Sequence, residues 1–362
     1  MFEQLHLDST FKIGEMVKRP IRYRKIANKL IESHPDLSPI KVRVIGGYTA
    51  DQMASWLRIF GVGLGINLEV YESPWGAGYS LAPSIDFSTE DATVILCLNC
   101  SVDLKVKNET GFIDDIENEV IVNWRNLCSS AQSSGRKILG TYFEDEAFCH
   151  PSMNDSKTSK HIVYSLNYQL GELSREYSCL HLISLRSLAA AADLSPDSSW
   201  RDWYAHGQYY SRELSLVLGH RCANLIAGFL GKAKKVLVLD LDDTLWAGVI
   251  GDDGVSGIGI GDESYEGRIH LELQNYAKGL VARGVMLALA SKNELQIAKA
   301  AFAHLNMILK WSDFTCKEVN WGPKSESIRK IASALNVGLD SIVFLDDNPV
   351  ERSEVRSALP TV

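Results

Sequence analysis

From Lys41 onward, short continuous apolar runs alternate with longer stretches in which apolar residues return every three or four positions. KVRVIGG, LEVYES, ATVILCL from Ala92, RKILGTYF from Arg136 and LHLISL from Leu180 read as strands buried on both faces. FIDDIENEVIVNWRNL and HIVYSLNYQLGELSREY read as helices between them. After KVRVIGG, Thr49 stands three residues before Gln52, the spacing of a capping box, and opens a helix with Met53, Trp56, Leu57 and Phe60 on one face. The first forty residues read as helix and loop, and EDEAFCHPSMNDSKTS as a polar loop. A helix from about 208 to 230 then leads to Gly231-Lys232-Ala233, a plausible domain joint.

Beyond the joint a second alternation begins. KKVLVLDL, VMLALAS and SIVFLDD are its strands, and YEGRIHLELQNYAKGLVARG, ELQIAKAAFAHL, PKSESIRKIASAL and PVERSEVRSAL its helices. Strands alternating with helices predict parallel sheets covered on both faces, hence two α/β domains, at 1–230 and 233–362. No internal repeat or low-complexity tract interrupts the pattern.

Composition narrows the function. With 45 acidic against 37 basic residues the formal net charge is -8, which argues against a nucleic-acid partner. A basic run, Lys18, Arg19, Arg22, Arg24, Lys25 and Lys29, could meet a phosphate or an acidic partner, but a solvated helix face is the ordinary explanation. Seven cysteines without framework spacing, no signal-peptide pattern at the N-terminus and no long apolar span predict a cytoplasmic protein free of the membrane.

The strongest chemical signal is D-L-D-D-T, directly after the strand VLVL. It places Asp240, Asp242 and Thr244 at the carboxyl edge of a sheet, where doubly wound proteins bind ligands. One carboxylate there can hold Mg²⁺ and attack phosphorus while the other moves the proton. Ser291 ends the next predicted strand, Lys324 follows in W-G-P-K, and Asp346 and Asp347 end SIVFLDD. A hydroxyl and an ammonium suit a phosphoryl group, and further carboxylates complete a hard-oxygen cation site.

These four motifs, in this order, resemble the haloacid dehalogenase (HAD) superfamily of phosphoryl-transfer enzymes. DLDDTLWAGVIGDDG, LALASKNE, VNWGPKSESI and FLDDNPVERSEVR are similar to its IIIC branch and, within that, to the FkbH-like proteins of polyketide pathways. The resemblance implies a capless HAD fold and a Mg²⁺-dependent enzyme that takes the glyceryl unit of 1,3-bisphosphoglycerate, dephosphorylates it and delivers it as a D-glyceryl thioester on the phosphopantetheine arm of an acyl carrier protein. By position it implies that Asp240 is nucleophile and metal ligand, and Asp242 acid/base and metal ligand through its carbonyl. Thr244, Ser291, Lys292 and Asn293 would bind substrate, and Lys324 would neutralise the phosphoryl oxygens. Asp347 is favoured over Asp346 as the remaining ligand, Asp346 then orienting Lys324 or metal-bound water. A phosphatase of small phosphometabolites or phosphoproteins is the alternative, and a non-catalytic scaffold a second. The Gly-rich segment LWAGVIGDDGVSGIGIGDESYEG is expected to form a β-hairpin flap rather than a cap domain. The chain stops at ALPTV, whereas FkbH-like proteins often continue somewhat further, so a trimmed C-terminus is expected.

The first domain resembles the SGNH-hydrolase-like domain found ahead of such HAD domains. VIGGYT stands where Gly-Asp-Ser would be and lacks the nucleophilic serine; Asn99 in CLNCSVD is the relic of a Gly-x-Asn block; Asp202 and His206 in WRDWYAH are one residue too far apart for Asp-x-x-His. Binding or acyl handling is therefore expected of it rather than ester hydrolysis. Cys97 and Cys100 form C-x-x-C without the second ligand pair that zinc needs. Cys97 is expected to be a buried structural cysteine, Cys100 a reactive thiol that could carry the acyl group, and Cys149, beside His150, the second choice.

Overall fold

The computed structural model describes residues 21–46, 50–72, 92–99, 113–144, 159–194, 208 and 210–362. The chain divides into two compact units, Met1–Gly231 and Lys232–Val362.

In the first unit, helix α1 (Ile21–Glu32) precedes strand β1 (Pro39–Gly46), helix α2 (Asp51–Gly63), β2 (Asn67–Glu72), β3 (Val94–Leu98), α3 (Ile113–Ser133), β4 (Lys137–Thr141), α4 (Ser159–Glu176), β5 (Leu180–Ile183), α5 (Leu185–Ala191) and α6 (Arg212–Phe229). The strands form one sheet in the order β2-β1-β3-β4-β5, every pairing parallel. Alternation along β3 divides the core. Val94, Leu96 and Leu98 face a cluster with Met53, Leu57 and Leu218, whereas Ile95 and Cys97 face Trp124, Leu127 and Leu166. Cys97 is buried as expected, and burial pushes its thiol well above the ordinary range. Arg24 and Lys25 are exposed on α1, so that part of the basic run is a solvated face.

The second unit is smaller. Strand β6 (Val236–Leu239) is followed by a short helix α7 (Ile250–Gly257), α8 (Tyr265–Ala282), β7 (Met286–Ser291), α9 (Leu295–Ala301), β8 (Phe314–Val319), α10 (Lys324–Leu335), β9 (Ile342–Leu345) and α11 (Pro349–Ala358). Its sheet runs β8-β7-β6-β9, all parallel. Because the chain leaves β6 towards β7 and returns on its other side as β9, β6 marks the reversal where ligands of such sheets bind. Leu237 and Leu239 pack under Trp246, Ile250 and Ala277, and Val236 and Val238 under Ile328, Ile331 and Val355.

Several elements differ from expectation. The N-cap of α2 is Ala50, without a side-chain cap bond, and Thr49 lies outside the described residues. The flap is not a β-hairpin. It has a single antiparallel bridge, Ala247 to Gly259, and the helix α7 between them, broken at Gly254, whose φ is 66°. Strand β8 is an edge strand with only Phe314 fully buried, and its mixed sequence FTCKEV lacks the apolar run that marks the others. No described helix is long and apolar enough to cross a membrane.

Helix α6 packs closely on α2. A Cβ at Gly219 would lie 2.7 Å from Trp56 Cβ and 3.3 Å from the Leu57 amide nitrogen, whereas one at Gly228 on the same helix would meet nothing within 4 Å. Alanine gains about 1 kcal/mol over glycine inside a helix, but overpacking a core contact costs about 1–3 kcal/mol. Gly219→Ala is therefore expected to lower the urea midpoint, and Gly228→Ala to leave it unchanged or raise it. Equal shifts in the two variants would show that close approach does not explain Gly219.

Candidate active site

The four sequence motifs converge at the carboxyl edge of the second sheet. Asp240 directly follows β6, and its amide donates to the Leu345 carbonyl at 3.0 Å, joining the ends of β6 and β9. The chain then turns sharply. Asp243 adopts φ 49°, a left-handed conformation that aspartate tolerates, and its Oδ1 accepts from the Gly248 amide at 2.7 Å. The turn is held from below by α8. His270 Nδ1 lies 2.7 Å from the Thr244 carbonyl, and the fully buried Gln274 donates to the Leu245 carbonyl while accepting from the Ile308 and Leu309 amides.

Lys324 is the first residue of α10, reached through a turn in which Asn320 donates its amide to the Ser291 carbonyl and accepts from Gly322. Its side chain is buried and lies between two carboxylates. Nζ donates to Asp346 Oδ2 and stands 2.9 Å from Asp240 Oδ1. Asp346 spends its other oxygen on the Asn348 amide at 2.8 Å, so both its oxygens serve the protein. This geometry favours orientation of Lys324 as the role of Asp346. Asp347 is exposed, and its Oδ1 accepts from the Thr244 hydroxyl at 3.3 Å.

Among the described residues, Asp240, Asp346 and Asp347 form the group able to hold a metal ion, with ligand atoms within 4.8 Å of one another. A further observation fits a cation there. Asp240 Oδ1 is buried and receives no hydrogen bond, although Lys324 is close enough to pair with it electrostatically. A buried carboxylate that shares its one ammonium with a second carboxylate is under-compensated. Burial accordingly raises the Asp240 carboxyl above its ordinary range, with the Lys324 ammonium pulling it partly back. Three carboxylate oxygens suit a hard divalent ion such as Mg²⁺.

The side chain of Asp242 is not in that cluster. Its Oδ1 accepts from the Trp246 indole at 3.0 Å and the Ile250 amide at 2.9 Å, and its Oδ2 from Asn293 at 2.7 Å. Ser291 is buried at the end of β7 and accepts from the same Asn293 amide at 3.3 Å. Lys292 and Asn293, expected to bind substrate, each have a partner within the protein. Lys292 pairs with Glu351 at 2.6 Å, and Asn293 joins Asp242 to Ser291. Asn99 is buried in the first unit with its amide nitrogen on the Thr141 carbonyl. Cys100, Cys149, His150, Asp202 and His206 lie outside the described residues.

Sequence reasoning missed the supports. Helix α11 begins with Asn348 as N-cap, accepting from Val350, and Pro349 as first residue. From it Arg352 donates to the carbonyls of Asp346 at 2.7 Å and Asp347 at 2.5 Å, Glu351 takes Lys292, and Glu354 accepts from the Ser325 amide and hydroxyl at the start of α10. The signal was the spacing in N-P-V-E-R-S-E, which presents Glu351 and Glu354 on one helical face.

Removing the central cation should reveal the cost of this arrangement. With Lys324→Met, two buried carboxylates lose their partner, a change worth about 3–5 kcal/mol of stability. Adding Asp346→Asn should restore part of it, measured by urea unfolding in EDTA. Strictly additive losses in the double variant would contradict the assigned coupling.

No family model matches the sequence, and a search of curated proteins finds no match. Among solved structures, the chain is similar to the N-terminal part of the protein BF1531 from Bacteroides fragilis, which contains a phosphatase domain and was solved in complex with Mg. The TM-score is 0.83 and the identity 27%, over 94% of this chain and 92% of that one. A protein described as lipolytic, of the G-D-S-L family, from Desulfitobacterium hafniense matches 51% of this chain and 97% of its own at 13% identity. One described as a GDSL-like lipase from Parabacteroides merdae matches 52% and 95% at 16%. Their TM-scores of 0.33 and 0.35 are too low to bear on the first unit. The chain thus shares its two-sheet α/β fold with a protein containing a phosphatase domain, and its four motifs occupy one edge of the second sheet.

Proposed function

We propose that the second unit is a Mg²⁺-dependent HAD phosphatase acting through a phosphoryl group on Asp240. The observation that carries this reading is the buried Asp240 oxygen without a hydrogen bond, set beside Lys324 and within reach of Asp346 and Asp347. The Mg complex of the similar Bacteroides fragilis protein supports the choice of cation.

Asp240 and Asp347 would hold the ion, with the Asp242 carbonyl as a further ligand, while Asp346 keeps Lys324 in place. When bound, Mg²⁺ offsets negative charge on the phosphoryl oxygens and on the clustered carboxylates. Asp240 forms the new bond to phosphorus as the bond to the leaving oxygen breaks, and Asp242 gives that oxygen its proton. Asp242 then takes a proton from the water that cleaves the phospho-aspartate. Lys324 stabilises phosphoryl charge without moving, because Asp346 already fixes it. Ser291 and Thr244 offer hydroxyls to the phosphoryl oxygens.

The finer reading rests on the motif resemblance. The substrate is 1,3-bisphosphoglycerate, its 3-phosphate is removed through Asp240, and its acyl phosphate is attacked by a thiolate. The acyl–oxygen bond breaks, phosphate leaves, and a D-glyceryl thioester forms on an acyl carrier protein. Absence of a cap suits a carrier-borne pantetheine arm, since the chain between β6 and α8 holds only α7 and two isolated bridges. The thiolate is either the carrier's own or an enzyme cysteine that relays the acyl group. Cys97, Cys128, Cys179 and Cys222 are buried and Cys316 is half-buried, and burial raises all five thiols, those of Cys128 and Cys222 to about 12, so a relay falls to Cys100 or Cys149.

Asp240→Asn should reduce phosphate release by orders of magnitude while the protein stays folded. Near-normal release would remove Asp240 from its role. EDTA should abolish activity, and Asp347→Ala should raise the Mg²⁺ concentration giving half-maximal rate; full activity in excess EDTA would exclude the cation. Incubation with 1,3-bisphosphoglycerate, Mg²⁺ and a carrier protein, followed by intact mass, should show a glyceryl adduct on the carrier. Phosphate release without that adduct would leave a plain phosphatase. An adduct on the enzyme alone that vanishes in Cys100→Ser would establish the relay.

A further inference from the structure

Asp242 must hold one place while its proton moves, yet it stands just before a tight turn and is only half-buried. Its carboxylate is gripped from two directions. The Trp246 indole and Ile250 amide, both from the flap, hold Oδ1, while Asn293 Nδ2, from the loop after β7, reaches Oδ2 at 2.7 Å. Asn293 is buried, as are Trp246 and Ser291, so solvent does not compete for the primary amide. The same nitrogen stands 3.3 Å from Ser291 Oγ. Because that hydroxyl accepts from the amide, its own proton remains free to be donated.

We propose that Asn293 is a positioning residue that sets two groups at once, holding Asp242 in line with the leaving oxygen and turning the Ser291 hydroxyl towards the phosphoryl group. The proposal rests on the phosphatase reading of this site. Its chemical consequence is selective. An alkyl phosphate needs a proton on its leaving oxygen as the P–O bond breaks, and this comes from Asp242. An aryl phosphate expels a stable phenolate and needs little help. Displacing Asp242 should therefore slow the first class far more than the second, whereas simple damage to the fold or to the cation site would slow both alike.

The test uses the full chain with Mg²⁺ and the variants Asn293→Ala and Asn293→Asp, the second nearly isosteric so that a cavity is not at issue. kcat/KM is measured for an alkyl phosphate and for p-nitrophenyl phosphate. General acid–base catalysis is worth about 10²–10⁴-fold. The alkyl substrate should lose on the order of 100-fold or more, and the aryl substrate several-fold at most. In parallel, the Trp246 indole N–H resonance, assigned with Trp246→Phe, should shift in both Asn293 variants because its acceptor has moved. Equal losses on the two substrates, or an unmoved indole resonance, would overturn the proposal. Should the wild-type chain release phosphate from neither ester nor from 1,3-bisphosphoglycerate, the phosphatase reading fails, and an unmoved indole resonance would separately refute the positioning of Asp242.

Discussion

The second unit is organised around one buried ammonium. Lys324 lies between Asp240 and Asp346, and Asp347 stands within ligand distance of both. Three carboxylates against one ammonium leave the cluster formally two charges negative. Bringing such charge together out of water is costly unless each group is paired, and a bound divalent ion would restore the balance. The protein relieves this only in part, since Asp240 Oδ1 is buried with the shared Lys324 ammonium 2.9 Å away and no well-formed hydrogen bond of its own. The deficit that costs stability is what makes the site receptive to a cation and, through it, to a phosphoryl group.

The scaffold delivers this cluster by topology. Asp240, Ser291 and Asp346 each stand where a parallel strand ends, and Lys324 opens the helix after β8, so side chains distant in sequence meet at one edge. Helix α11 then fixes them. Arg352 binds the carbonyls of the two aspartates, while Glu351 and Glu354 reach Lys292 and the start of α10. A rigid support of this kind costs the reaction little reorganisation.

Much of this was legible in the sequence because it depends on local pattern. The apolar runs ending in D-L-D-D-T, S-K-N and D-D-N-P located three strands and the side chains at their ends. Strand β8 escaped notice because an edge strand with one fully buried residue shows little periodicity. Helix α7 was missed because I-G-D-D-G-V-S-G reads as turn chemistry, and tertiary contacts of Ile250 under the sheet override that preference. The partners of Lys292 and Asn293 could not be read from spacing, since Glu351 and Asp242 lie 59 and 51 residues away. The roles expected of Cys100 and Cys149 fall outside the described residues.

The central claim is that Asp240 carries the phosphoryl group. It is tested most directly by exposing the full chain to acetyl phosphate and Mg²⁺, quenching in acid within the first turnover, and mapping phosphopeptides by mass spectrometry. The account predicts a single acid-stable, alkali-labile phosphoryl group on Asp240, absent when EDTA replaces Mg²⁺. A phosphoryl group found on another residue, or turnover with no phosphorylated peptide under conditions that trap acyl phosphates, would contradict it.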